Sequence, residues 1–137
     1  MDAIDLDNGS LSITQTVKRV RRKGLLIERK GKNSKSLRTI PLPRFAIRAL
    51  SEHKELLSGE RNLAGDKWQE HGLVFSTKTG GPIEPRNLVR HLHATLALVK
   101  IDRCRSHDLR HTAASLLIAQ GATLHEVKRF SGIPRSD

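Results

Sequence analysis

The chain predicts an α+β fold, a small three-stranded antiparallel sheet flanked by helices. Three observations carry this expectation. Short extended segments broken by Gly, Asn and Ser fill residues 7–43. From Pro43 onward, apolar residues recur at helical spacing. Aromatic residues make up only 3% of the chain, so the core has to come from Leu, Ile, Val and Ala, and 137 residues suffice for one core of moderate size. One domain over residues 1–137 is expected, with no internal repeat.

The elements follow in order. Asp7-Asn8-Gly9-Ser10 is a turn signal. Residues 11–17 then alternate, with Leu11, Ile13 and Val17 on one side and Ser12, Thr14 and Thr16 on the other. Gln15 interrupts the apolar side. GLLIER (24–29) is a second strand and LRTIPLP (37–43) a third. KGKNSKS (30–36) between them makes the last connection a hairpin with a Lys-rich tip. Pro43 opens a helix, because a first-turn residue needs no N–H donor. Phe45, Ala46, Ala49, Leu50, His53, Leu56 and Leu57 keep its spacing to about residue 58. Residues 58–72 read as an irregular connection, 73–77 as a short extended piece and 78–83 as a turn. An amphipathic helix over 84–100 carries Leu88, Leu92, Leu96 and Val99 as its stripe. The next helix, about 107–120, puts Leu109, Ala113, Leu116 and Leu117 toward the core, and Gly121 ends it. Thr123 and Glu126 form a capping box that opens the last helix.

Charge is the first clue to function. Twenty-five Lys and Arg against fourteen Asp and Glu leave a formal charge of +11. A domain this basic suits a polyanion, because neutralising phosphates releases condensed counterions. The single cysteine, Cys104, rules out a disulfide within the chain and fits a reducing compartment. No apolar run reaches the length of a membrane span, and the acidic start MDAIDLDNGS lacks the layout of a signal peptide. A cytoplasmic protein without a membrane partner is expected.

The chemistry concentrates in SHDLRHTAAS (106–115). His107, Arg110 and His111 stand at i, i+3 and i+4 and share one helix face. Three uses of that face compete. The polar trio caps the helix and pairs with Asp108 or another carboxylate. Alternatively, the two histidines hold a metal, as in the zinc-protease pattern His-Glu-x-x-His, with Asp108 in place of Glu. Arg110 would then set a cation beside the metal, and no third ligand is signalled. The third use is a phosphate site, because a helix N-terminus and a guanidinium both attract that anion.

Four ordered segments decide among them by resemblance. SHDLRHTAASLLIAQGATLHEVKRF resembles the core segment of the tyrosine recombinases, the phage-type integrases, with its His-x-x-Arg at a helix start. GKNSKSLRTIPLP is similar to that family's Lys-bearing hairpin, and HGLVFSTKTGGPIEPRNLVRHLH to its connecting strand, turn and helix. IDLDNGSLSI resembles the segment that opens the sheet. The resemblance implies a partial catalytic core that acts on DNA without a metal or small-molecule cofactor. A Tyr hydroxyl attacks the phosphodiester, and guanidinium, imidazole and ammonium groups meet the growing charge. It assigns Arg110 to a non-bridging oxygen, His107 to a second hydrogen bond and Lys32 to the proton for the departing 5′-oxygen. Lys35, Arg86, Arg90 and His111 are then DNA-binding residues, and intact recombinase protomers are further partners. A non-catalytic DNA-binding or recombinase-interacting module is the alternative reading, and a zinc-dependent hydrolase a more distant one.

The family set also contains an Arg upstream of the sheet, a Leu-Gly-His-type turn and the Tyr nucleophile. This sequence has no Tyr. Where the family shows Leu-Gly-His, it reads Ser131-Gly132-Ile133. No strand cleavage by this polypeptide alone is therefore expected. Missing helices at both ends would also leave apolar faces uncovered, with marginal stability or self-association as the result. The ending has a codon-level reading. Phe-Leu-Gly-His-Ser-Ser-Ile, written TTC CTC GGG CAT TCC TCG ATC, becomes Phe-Ser-Gly-Ile-Pro-Arg-Ser when one C leaves the CTC codon. That product is residues 130–136. Sequencing the gene past codon 137 should reveal, in the shifted frame, a continuation that encodes a Tyr; its absence there rejects the frameshift.

Overall fold

The structure is a computed structural model and describes residues 3–29 and 38–131. They fall into two compact units, Met1–Pro82 and Ile83–Asp137.

Among the described residues the first unit holds five short strands: β1 (Ile4–Asp5), β2 (Ser10–Ile13), β3 (Gln15–Val20), β4 (Gly24–Arg29) and β5 (Arg38–Pro41). A three-stranded antiparallel sheet is present, as the fold class predicts, but its strands are β1-β2-β5; the expected strand at 24–29 lies instead with β3 in a separate two-stranded ribbon. The Asp5 carboxylate closes the β1–β2 turn by accepting the Asn8 backbone N–H at 3.0 Å and its side-chain amide at 2.6 Å. Those bonds, the side-chain one first, hold Asp5 below its ordinary pKa. Leu11 faces Ile40 across the β2–β5 pair, and Ile40, at 5% exposure, is the buried hydrophobic side chain among this unit's described residues. A Cβ on Gly9 would stand 2.9 Å from the Ile47 side chain, so glycine there lets the following helix sit down on the turn.

Two strand expectations are corrected. The strand expected over 11–17 breaks at Thr14, where β2 leaves the sheet and β3 enters the ribbon. Gln15 on the apolar side marks that change of partner. The hairpin expected between 24–29 and 37–43 is replaced, among the described residues, by β3–β4 and β2–β5 pairings. The ribbon turns at Arg21–Lys23, closed by the Lys23 N–H on the Val20 carbonyl at 3.1 Å. Arg22 adopts φ 69 there, a conformation that Gly or Asn takes more readily. Sequence reading passed over this turn because VRRKG carries none of the usual Asn, Asp or Pro signals. The Lys-rich segment, with Lys32 and Lys35, lies outside the described residues.

The helix expected to end near residue 58 runs on as α1 (Arg44–Ala64), which corrects the irregular connection expected from 58. Ser58 returns its hydroxyl to the Lys54 carbonyl at 3.0 Å and so stays inside the helix. Gly59 weakens this turn by about 1 kcal/mol relative to alanine, and the helix formers after it sustain it. Gly65, at φ 51, ends it, and a single 3₁₀ turn (Gly65–Lys67) follows. His53 of α1 donates from Nε2 to the Val74 carbonyl at 2.6 Å, with its ring 4.9 Å from that of Phe75, and so ties 73–77 to the helix. Gly80 lies so close to Trp68 and Gln69 that a Cβ would stand 2.3 Å from the Gln69 carbonyl.

The second unit is helical: α2 (Pro85–Leu98), α3 (Ser106–Ala119) and α4 (Leu124–Ser131). The helix expected over 84–100 is α2, and Pro85 occupies its first turn, where no N–H donor is needed. Both α2 and α3 end in Schellman motifs. Ile101 N–H bonds the Leu96 carbonyl at 2.9 Å with Lys100 left-handed (φ 57), and Ala122 N–H bonds the Leu117 carbonyl at 2.9 Å with Gly121 left-handed (φ 85). The Thr123–Glu126 capping box forms as expected, at 2.7 Å and 3.3 Å. The expected core face of α3 is corrected: Leu117 is buried at 6% exposure, whereas Leu109 and Leu116 are each 42% exposed. Three short helices offer too little surface to cover both flanks of α3. Leu88 and Val99 of the α2 stripe are also exposed.

Gly65 and Gly80 of the first unit separate strain from clash. Gly80→Ala should cost about 1–3 kcal/mol of unfolding free energy, because it meets both a positive φ and a backbone oxygen. Gly65→Ala meets no atom within 4 Å, and its cost of about 1–3 kcal/mol comes from the backbone alone, at φ 51 and ψ −123. Urea titrations of both variants, read as midpoint shifts, check the two costs.

Candidate nucleic-acid interface

The start of α3 is built by its N-cap. The Arg105 backbone N–H donates to Asp108 Oδ2 at 2.8 Å, and the Arg105 guanidinium reaches Asp108 Oδ1 at 3.4 Å. The backbone bond first, then the side-chain bond, hold Asp108 below its ordinary pKa. The carboxylate that the capping reading paired with the trio is thus engaged with Arg105. His107 and His111 stand one turn apart and exposed, with ring centroids 4.9 Å apart and planes at 84°. Arg110 is exposed on the turn between them. The shared face expected from the i, i+3, i+4 spacing is therefore present.

A second basic feature lies on α2. Arg86, Val89, Arg90, His93, Ala94 and Arg103 line an open groove of about 520 Å³. Arg90 is held by Asn87, whose side-chain oxygen accepts at 3.0 Å. His93 donates from Nε2 to the Cys104 carbonyl at 3.1 Å, which ties the connector before α3 to α2. Arg103 thereby enters the groove while Arg105, two residues on, caps α3. Sequence reasoning singled out Arg86 and Arg90, and the structure adds Arg103 and His93 to the same groove. The available signal was the Arg-Cys-Arg run (103–105) just before His-x-x-Arg. Among the described residues, no three of His, Cys, Asp and Glu come together to hold a metal ion. Among them too, no helix is long and apolar enough to cross a membrane.

Residues 1–133 match the model of the phage integrase family. The chain belongs to that family. The integrase of Streptomyces ambofaciens is 39% identical over 104 residues, covering 74% of this chain and 27% of that protein. The tyrosine recombinase XerC-like protein of Caldanaerobacter subterraneus is 30% identical over 139 residues, covering 94% of this chain and 36% of that one. The Tn1549 transposon integrase, solved in complex with a circular intermediate DNA, superposes with a TM-score of 0.65 at 15% identity, over 98% of this chain and 44% of that chain. This last likeness is one of fold, and it agrees with the expected α+β class. This integrase-family chain spans about a quarter to a third of the length of the curated relatives it matches.

Asp108 gives the cap a pH signature. A folded pKa held below the ordinary value adds stability that is present above pH 3.8 and lost as the pH falls through the lowered value. Asp108→Asn should therefore lower the thermal midpoint at neutral pH, and the gap to the parent should close in strong acid. Circular dichroism melts at both pH values read it out; a gap that persists in acid would show that the carboxylate charge is not its cause.

Proposed function

We propose that the chain is part of the catalytic domain of a site-specific DNA recombinase and holds a DNA phosphate at the start of α3. One observation carries the reading. In a single helical unit, His107, Arg110 and His111 stand exposed at an N-terminus, and the connector leading to it delivers Arg103 to the Arg86–Arg90 groove. Family membership supports it, as does the net charge of +11.

In this reading Arg110 clamps a non-bridging phosphate oxygen and His107 donates a second hydrogen bond, both charge-assisted. Lys32 is the general acid for the departing oxygen, and Lys35, Arg86, Arg90 and His111 contact the backbone on either side. Such contacts position DNA rather than read its sequence. The attacking hydroxyl is not among these residues, since the chain has no Tyr, so strand cleavage requires a nucleophile from elsewhere. Intact recombinase protomers are the partners this reading implies. The exposed Leu98, Ile101 and Leu124 favour a second reading, a non-catalytic module that pairs with such a protomer.

Fluorescence anisotropy with a labelled duplex tests the proposal. Affinity should fall steeply between low and moderate salt, with a log–log slope of about −0.9 per phosphate neutralised. Arg110→Ala and Arg90→Ala should each flatten that slope by about one unit. Supercoiled plasmid should stay intact in the presence of the chain. Salt-insensitive association would refute the phosphate site, and a covalent protein–DNA adduct would refute the missing nucleophile. Rescue or inhibition of an intact recombinase by added chain distinguishes the second reading.

A further inference from the structure

The β3–β4 ribbon carries chemistry that the α3 site does not use. Between Gln15 and Arg29 stand six cations, Lys18, Arg19, Arg21, Arg22, Lys23 and Arg29, all exposed, against one carboxylate, Glu28. Glu28 is itself paired with Lys18. Among the described residues the ribbon has no third strand. A two-stranded hairpin alone is marginal in water, so like charges gathered at its tip work against it.

The turn sharpens the point. Arg22 holds φ 69 at the third position of the turn closed by Lys23 N–H on the Val20 carbonyl. Glycine or asparagine fits that position better. An arginine there gives up backbone comfort to place a guanidinium at the apex. Gly24 follows at φ 78 with no heavy atom within 4 Å of where a Cβ would be, so the apex is open.

We propose that the β3–β4 ribbon is a second contact for duplex DNA, in which Arg21, Arg22 and Lys23 meet backbone phosphates. This rests on the DNA-binding reading of the chain and adds a separate surface to it. The width of a two-stranded ribbon suits the major groove, and the cations at its tip complement the flanking phosphates. An anionic lipid surface is the other polyanion to consider. The tip has no aromatic or aliphatic residue to insert into a bilayer, which interfacial anchors require.

The test uses the whole chain, the triple variant Arg21→Gln, Arg22→Asn, Lys23→Gln, and the single variant Arg22→Asn. Asparagine suits the left-handed position, so the single variant should fold at least as well as the parent by urea midpoint. A control removes the same charge from α1 and the 3₁₀ turn after it, with Arg44→Gln, Lys54→Gln and Lys67→Gln, all exposed. Salt-dependent anisotropy on a labelled duplex should show the slope flattened by about 2–3 units in the triple variant and about one in the single variant. The control should lose clearly less affinity than the triple variant. Equal loss in the control would reduce the ribbon to a share of the net charge and overturn the proposal. A parent chain that binds and a triple variant that matches it would overturn the ribbon alone, and the α3 site would stand. A parent that does not bind DNA at all would overturn both. Binding to phosphatidylserine vesicles that depends on the three cations, with DNA binding unchanged, would reassign the ribbon to lipid.

Discussion

The hydrogen bond from the His93 ring to the Cys104 carbonyl governs the chemistry of the helical unit. It is half-buried, so each partner would leave a poorly solvated group if the bond opened. The bond fixes the connector between α2 and α3, which has just left a left-handed Lys100 and has no regular structure of its own. With the connector fixed, Arg103 lines the α2 groove and Arg105 caps α3 through Asp108. Once α3 starts at Ser106, helical geometry alone puts His107, Arg110 and His111 on one exposed face. A single ring nitrogen thus sets the origin from which the proposed phosphate site is counted.

The second organising fact is where the carboxylates go. Asp5 closes the first turn, Asp108 and Glu126 cap helices, and Glu70 takes the Gly72 N–H, the Trp68 indole and Arg61. Glu28 and Glu52 answer Lys18 and Arg48. These acids are committed to local structure, and the fourteen Asp and Glu together leave the chain with a formal charge of +11. The unneutralised charge is the physical basis for reading this protein as one that meets a phosphate chain.

Apolar surface tells a related story. Leu63 is 90% exposed and Leu98 84%, while Ile40 and Leu117 are the buried apolar residues among those described. Among the described residues, neither unit closes a large core around these side chains. The hydrophobic term available to each is correspondingly modest, and caps, turns and glycine-permitted contacts carry more of the order than they would in a larger domain. This explains why Gly9 and Gly80 matter: each admits a close approach that helps hold its unit together.

The sequence by itself determined what depends on near neighbours along the chain. The Thr123–Glu126 box and Gly121 after α3 were legible because capping acts within four residues. The His107–Arg110–His111 face was legible for the same reason, since helical periodicity is local. The tertiary structure decided what depends on distant partners. Residues 24–29 pair with β3, and β5 joins β2 instead, because strand pairing is a contest among non-adjacent segments that alternation cannot score. Arg103 and His93 joined the site only through a bond between residues eleven positions apart, which no local pattern encodes.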